Sequence, residues 1–337
     1  MSHNSGLSLA AVEAVGLGHP LLDRYVVFVA SRARANTVLA TVSDLRVFFS
    51  VVVKDPRQVT ASDVLDFIAA QRRPRAGAVV RLADGEAGLS AQTIKRRLSS
   101  VSGLFSWLLI VGEVNANPVP RGLSTRRARG PRQVVPLVRA PRMLPRVLEP
   151  GEVDALVGAL RHWRDRAMVE AMVLGGLRRC EVLGLRTGDL RPAEGRVFIA
   201  DGKGGHQRLV PVSKRFFRSV GHYTATERPA DAGTEFVFVA LKGPRRGRPL
   251  TADGLDEIVR AARVRAGLSH ATCHELRHTC LTRLREAGMA LEAIQAQAGH
   301  RSIESTRLYL HLSNDWLAGE YLRAADVIDA ASYPVSK

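Results

Sequence analysis

Cysteine is scarce in this chain: Cys180, Cys273 and Cys280 are all there are in 337 residues. So few thiols exclude a disulfide framework, and no pair stands at the C-x-x-C spacing of a structural zinc site. No stretch approaches the roughly 18 uninterrupted apolar residues of a membrane-spanning helix. The first 30 residues show no cationic start followed by an apolar run, so no secretory leader is read there. A reduced, cytoplasmic chain is expected. Lysine is scarce too, at six against 43 arginines. Acidic side chains are missing altogether from Val114 to Leu148, a segment that holds eight arginines.

What is present sets the class. With 46% hydrophobic and 24% charged residues the chain can build a core, and wholesale disorder is excluded. At roughly 100–200 residues per domain, its length implies two domains. The net charge of +17 favours a polyanionic partner. Arginine richness can follow from nucleotide composition alone, so the excess of positive over negative charge is the stronger observation.

Apolar spacing predicts helices over most of the first 120 residues. Leu21, Leu22, Tyr25, Val26, Phe28 and Val29 form one stripe; Val38, Leu39, Val42, Leu45, Phe48 and Phe49 form a second, with Asn36-Thr37 placed as its N-cap. Thr60-x-x-Asp63 opens a third helix carrying Val64, Leu65, Phe67 and Ile68. Residues 72–89 read as an irregular connection. Ser90 then caps a long helix whose apolar face is Ile94, Leu98, Val101, Leu104, Phe105, Leu108 and Leu109. Asn117-Pro118-Val119-Pro120 ends this unit. Prolines 131, 136, 141 and 145 keep the arginine-rich stretch that follows extended. It reads as a linker, either a solvated basic loop or, since no acid interrupts its charge, a strap facing a polyanion.

A second domain opens at Glu149-Pro150 with Glu152 in the first turn. Arg196 to Val212 alternates like a β-hairpin, with Gly202-Lys203-Gly204-Gly205 at its turn. Phe236 to Val239 is predicted as a further short strand, Thr251 to Arg265 as a helix, and 273–333 as helical segments divided by glycines.

Two readings compete for one motif. His274-Glu275-Leu276-Arg277-His278 satisfies H-E-x-x-H, which places two zinc-ligating histidines on one helical face with Glu as base. The pattern is short, and no third ligand follows in register. The same residues also read as His-x-x-Arg, and other residues then join them. Arg178 and Glu181 stand at i, i+3 at a helix start, where the carboxylate can hold the guanidinium in one rotamer. Lys203 sits on a glycine turn. His300 follows Gly299, and Tyr309 lies nine residues after His300.

In this order, and in the contexts GLRRCEVLGL, GKGGHQRLVPV, HELRHTCLTRLREAG and IQAQAGHRSIESTRLYLH, Arg178, Lys203, His274, Arg277, His300 and Tyr309 resemble the tyrosine recombinase (phage integrase) family. The likeness covers 150–325 closely. TIKRRLSSVSGLFSWL is similar to the family's helical core-binding domain. The resemblance implies a mostly α fold with a small β-sheet or hairpin. A four-helix SAM-like core DNA-binding domain (19–120) would be joined by the Arg-rich linker (121–147) to a mixed α/β catalytic domain (148–337) with a C-terminal helix. Cys180, Cys280 and Ala298 depart mildly from the family pattern, and none of them removes a reactive group.

The implied function is site-specific DNA recombination. The tyrosine oxygen of Tyr309 attacks a phosphodiester and leaves a 3′-phosphotyrosine, and strand exchange passes through a Holliday junction. Arg178 and Arg277 clamp the phosphate, for which a planar, bidentate guanidinium is suited. Tyrosine ionises near a pKa of roughly 10, so it needs a base, and His274 is the expected proton acceptor. Lys203 is the expected general acid on the leaving oxygen, and His300 a hydrogen-bond donor to the phosphate. Glu181 supports Arg178. With two arginines supplying charge, no metal or other cofactor is required. Lys95, Arg96, Arg97, Arg121, Arg126, Arg127, Arg129 and Arg132 are the expected DNA contacts. Expected partners are double-stranded DNA at specific sites, three further copies in a synaptic tetramer and an accessory protein; no membrane is expected. Residues 315–331 are amphipathic and would dock into a neighbouring subunit. The expected role is in a mobile element, with chromosome dimer resolution as the alternative and zinc peptidase chemistry as the outlying one.

Elsewhere the ordinary reading holds. Tyr25, Tyr223, Tyr321 and Tyr333 are core or interface side chains. His278 packs or makes a structural hydrogen bond. His206 touches a DNA backbone rather than reacting, and the cysteines are small inert hydrophobes.

Overall fold

The structure is a computed structural model that describes residues 16–73, 88–122, 136–139, 146–200 and 207–299. The chain divides into two compact units, 1–142 and 143–337, each with its own hydrophobic core.

The first unit is helical. α1 (Pro20–Arg32) starts on a proline, which needs no partner for its missing N–H, and on His19, whose Nδ1 accepts from Leu21 N at 3.2 Å. α2 spans Ala35–Val51. Its first turn begins earlier than Asn36-Thr37, because Arg34 O already accepts from Thr37 N and Val38 N at 2.8 and 3.2 Å. α3 (Ala61–Arg72) opens at the predicted Thr60-x-x-Asp63, which forms a reciprocal cap. Thr60 Oγ1 accepts from Asp63 N at 3.4 Å, and Thr60 N donates to Asp63 Oδ2 at 2.9 Å. α4 (Ala91–Ile110) begins at Ser90, whose Oγ accepts from Thr93 N at 3.2 Å. Leu45, Phe48, Phe67, Ile94, Leu104, Phe105 and Leu108 form its fully buried centre. Phe48 meets Phe67 edge-on, ring centroids 5.0 Å apart. A side chain at Gly103 would strike the Tyr25 hydroxyl at 2.8 Å, so α4 and α1 approach through a glycine. Phe28, Leu39, Leu65 and Leu109 face outward, because the predicted stripes were drawn wider than one helical face.

The second unit wraps helices around α6 (Trp163–Val173), in which Ala167, Met168, Val169, Ala171 and Met172 are all fully buried. α5 (Pro150–Gly158) precedes it, with Glu149 N held by Glu152 Oε2 at 2.8 Å. α7 (Arg179–Leu183) follows. Three short antiparallel strands come next, in the order β1 (Leu190–Arg191), β2 (Arg196–Ile199) and β3 (Arg208–Pro211). The β2–β3 pairing sets Val197 opposite Val210 and Ile199 opposite Arg208. This is the predicted hairpin; its turn, 201–206, lies outside the described residues. α8 (Lys214–Thr226), α9 (Ala252–Arg265), α10 (Cys273–Glu286) and α11 (Leu291–Ala298) complete the described unit. α6 packs against α8 and α10.

Phe236 to Val239 forms isolated bridges, Arg186 to Phe236 and Val239 to Pro249, instead of the predicted strand. Its backbone bonds are shared between neighbouring backbone, as in Val237 N to Leu185 O at 2.8 Å, and side chains. The buried Tyr223 hydroxyl donates to Val237 O at 3.1 Å and accepts from Val239 N at 3.2 Å, as a neighbouring strand otherwise would. Among the described residues no helix is long and apolar enough to cross a membrane.

Candidate active site

The site is organised around one carboxylate. α6 ends in the Gly175-Gly176 turn, where Gly176 takes a φ of +66°. α7 then begins with Arg178 as its N-cap. Arg178 N donates to Glu181 Oε2 at 2.9 Å, and its Nη1 donates to Glu181 Oε1 at 2.7 Å, as the i, i+3 spacing predicts. The Glu181 side chain is completely buried. A buried carboxylate must be paired, and here it is paired three times. Arg208 on β3 forks onto both oxygens at 3.0 Å each, and Arg277 on α10 brings Nη1 to 3.9 Å of Oε2. Burial pushes the Glu181 pKa up, but the bonds from Arg208 and the Arg178 backbone, with the charges of both arginines, together hold it below its ordinary value.

The same three arginines grip the end of α11. Arg208 Nε donates to Gln297 O at 3.3 Å, Arg277 Nη2 to Ala298 O at 2.7 Å, and Arg178 Nη2 to Gly299 O at 3.1 Å. Arg277 Nη1 also donates to Gly176 O. Gln297 Nε2 donates to Gly175 O at 2.8 Å and Pro211 O at 3.0 Å. Gly299 is left-handed at φ +60°, and a Cβ there would stand 2.9 Å from the Arg208 guanidinium. Three consecutive carbonyls are therefore held by three guanidiniums that share one counter-ion. Among the described residues, Arg178 commits two of its five N–H donors, leaving others for an anion.

His274 and His278 lie one turn apart on α10, which Thr272 caps by accepting from Glu275 N at 3.2 Å. His274 is exposed and His278 buried. Their Nε2 atoms are 2.7 Å apart, with the rings edge-on. Burial lowers the His274 pKa, with Arg277 and Arg178 adding to the shift against Glu275. Burial, then His274 and Arg277, pushes His278 down to about 4. A separation of 2.7 Å is a hydrogen bond. Two nitrogens on a tetrahedral zinc, each at roughly 2.0–2.1 Å from it, would stand about 3.3 Å apart. Glu275 turns towards His270, at 3.7 Å. Among the described residues no three His, Cys, Asp or Glu side chains cluster as metal ligands. The donor set does not fit a zinc peptidase.

Guanidiniums converging beside a neutral imidazole make a receptor for a phosphodiester. A profile of the phage integrase family matches residues 146–315 of this chain. The chain belongs to the phage integrase family of tyrosine recombinases. It is 31% identical over 240 residues to the tyrosine recombinase XerC of Yersinia pestis, covering 70% of this chain and 73% of that one. It is 28% identical to XerD of Listeria monocytogenes, covering 83% and 89%. Its fold is similar to that of the Tn1549 transposon integrase in complex with transposon right-end DNA (TM-score 0.69, 19% identity, 90% of this chain and 98% of that one). It is also similar to XerH bound to difH (TM-score 0.61, 19% identity, 87% and 80%).

Within the recombinase, the structure brings Arg178, Glu181, His274 and Arg277 together. Lys203, His206, His300 and Tyr309 lie outside the described residues, as do linker residues Arg126, Arg127, Arg129 and Arg132 and the segment 315–331. Arg121 is exposed. Lys95, Arg96 and Arg97 lie on α4, but two of them turn towards buried Asp44 on α2. Asp44 Oδ2 accepts from Arg96 Nη1 at 2.6 Å and from Ser100 Oγ at 2.8 Å, and Oδ1 lies 3.8 Å from Arg97 Nε. Arg97 also bonds Gln71. The sequence reading missed Arg208 and Gln297. Arg208 lies in the segment GKGGHQRLVPV, and the demand of a buried Glu181 for further cations is the signal that points to it.

Proposed function

We propose that this recombinase cuts and rejoins duplex DNA at specific sites through a 3′-phosphotyrosine on Tyr309, with exchange through a Holliday junction. The observation that carries the reading is the set of arginines around Glu181 beside an exposed His274. Arg178 and Arg277 hold the scissile phosphate, and their donors act on the charge that grows on its non-bridging oxygens. Glu181 fixes both guanidiniums. His274 takes the tyrosine proton, Lys203 protonates the departing 5′ oxygen, and His300 donates to the phosphate. The ester energy is kept in the phosphotyrosine, so neither nucleotide nor metal enters the reaction.

Residues 19–120 and 148–337 are the DNA-binding and catalytic domains of this proposal, and 121–147 is a basic strap along the duplex. Binding then falls steeply with salt as counterions are released. The working assembly is a cytoplasmic tetramer on DNA, with residues 315–331 reaching a neighbouring subunit. A mobile element is the proposed setting, and the stretch at 72–89 with the long linker supports it. Chromosome dimer resolution is the second reading, favoured by the likeness to XerC and XerD.

Covalent capture of genomic DNA gives the site and separates the two settings. A suicide duplex built on that site tests the chemistry. Wild-type protein should become covalently attached to it, and Tyr309→Phe should not. An adduct that persists in Tyr309→Phe refutes the nucleophile.

A further inference from the structure

His278 has no part in the scheme above, yet it lies within hydrogen-bond distance of the proposed base. The two rings meet through Nε2 at 2.7 Å, so one nitrogen carries the proton and the other the lone pair. Only one order is compatible with a base. If His278 donated, it would occupy the single lone pair of His274 and leave that ring only an Nδ1 proton. If His274 donates, its Nδ1 lone pair stays available to a reacting group. We infer that His278 is a positioning residue for His274: it accepts a hydrogen bond from His274 Nε2 and fixes the exposed imidazole in the tautomer whose Nδ1 takes the proton of the attacking tyrosine. The inference rests on His274 being the base.

The placement fits the role. The acceptor is buried and the reacting ring is exposed, one helical turn away on the same face of α10. Among the described residues, the charged groups bearing on the pair are Arg178 at the start of α7, and Arg277 and Glu275 on α10 itself. The arginines and burial keep both rings neutral near pH 7, the state in which a one-donor, one-acceptor pair exists. When His274 gains the tyrosine proton at Nδ1, its Nε2–H becomes a charged donor to a neutral acceptor, and the bond strengthens as the reaction proceeds. A base oriented by a third group in this way is common in nucleophilic catalysis.

Two measurements test it. The first is ¹⁵N spectroscopy of the full chain labelled at histidine, with the two rings assigned through His274→Gln and His278→Gln. His274 should carry its proton on Nε2 and His278 on Nδ1. The second is the pH–rate profile for covalent attachment to the suicide duplex. In His278→Phe the plateau should fall about tenfold, and the acid limb should move to lower pH because the imidazolium has lost its acceptor. His278→Gln, whose amide oxygen can accept the same bond, should recover both. His274 protonated on Nδ1 in the wild type, or a His278→Phe profile matching the wild type, overturns the inference. Absence of any Tyr309-dependent adduct in the wild type instead overturns the proposed function, and the tautomer assignment still stands or falls by itself.

Discussion

Replacing Glu181 with alanine strips a completely buried carboxylate from three arginines. The lost contacts are the fork from Arg208 at 3.0 Å on each oxygen, the Arg178 side-chain bond at 2.7 Å and the Arg178 backbone bond at 2.9 Å. Charge-assisted bonds contribute roughly 1.5–3 kcal/mol each, but they share one acceptor group and do not add. Relief is also uneven. The Arg178 and Arg208 side chains keep 19% and 14% of their surface and can turn towards water, whereas Arg277 keeps 5% and cannot. The expected cost is therefore that of taking the counter-charge from one buried cation, which keeps its bonds to Gly176 O and Ala298 O, about 3–5 kcal/mol. Denaturant-dependent hydrogen exchange reads it by segment. Peptides from α6 should lose that protection, and peptides from α4, in the other unit, should be unchanged. A loss below about 1 kcal/mol in α6 would refute the idea that Glu181 organises the arginines. The pH dependence has a definite sign. Glu181 titrates below its ordinary value of 4.5, so its contribution is fully present above that value and is lost as pH falls through its own lower one. The gap between wild type and Glu181→Gln should close on acidification below about pH 4.5.

Gly299→Ala should reduce covalent attachment more than DNA binding, since the added Cβ meets Arg208 at 2.9 Å in a left-handed backbone; equal activity would show that the end of α11 has room to shift. Arg97→Ala should lower the melting temperature of the first unit and leave the salt slope of DNA binding nearly unchanged, while Lys95→Ala should reduce that slope by about one; the reverse would make Arg97 the DNA contact. Thr272→Ala removes the cap of α10 and should cost about 1 kcal/mol by chemical denaturation, with Thr272→Ser recovering most of it.

What could be read without coordinates were the parts fixed by near neighbours in sequence. The Thr60–Asp63 cap, the Ser90 cap and the Arg178–Glu181 pair are all three residues apart, a spacing that one helical turn converts into contact. The β2–β3 hairpin was legible from its alternation for the same reason. The errors also share a cause. Asn36-Thr37 has capping chemistry, but Arg34 O had already begun the helix. Phe236 to Val239 has strand composition, but Tyr223, from another element, takes up two of its backbone bonds where a neighbouring strand would. The contact between Arg97 and Asp44 was not legible either, because Asp44, 53 residues earlier, gives no local sign that it is buried. Arg208 reaches Glu181 across 27 residues, and its part in the site follows from burial, which composition does not report.

Arg178, Arg208, Arg277 and Glu181 together carry a net charge of two positive units. The fold keeps like charges close at the cost of their mutual repulsion. In the reaction proposed above, a phosphate arriving at Arg178 and Arg277 discharges that repulsion, and part of the affinity for it comes from that relief. Occupancy and folding are thereby linked. The catalytic unit should be least stable when its site is vacant, and anything that relaxes the vacant site, such as a second carboxylate beside Arg178, should make a sturdier protein that holds its phosphate less tightly.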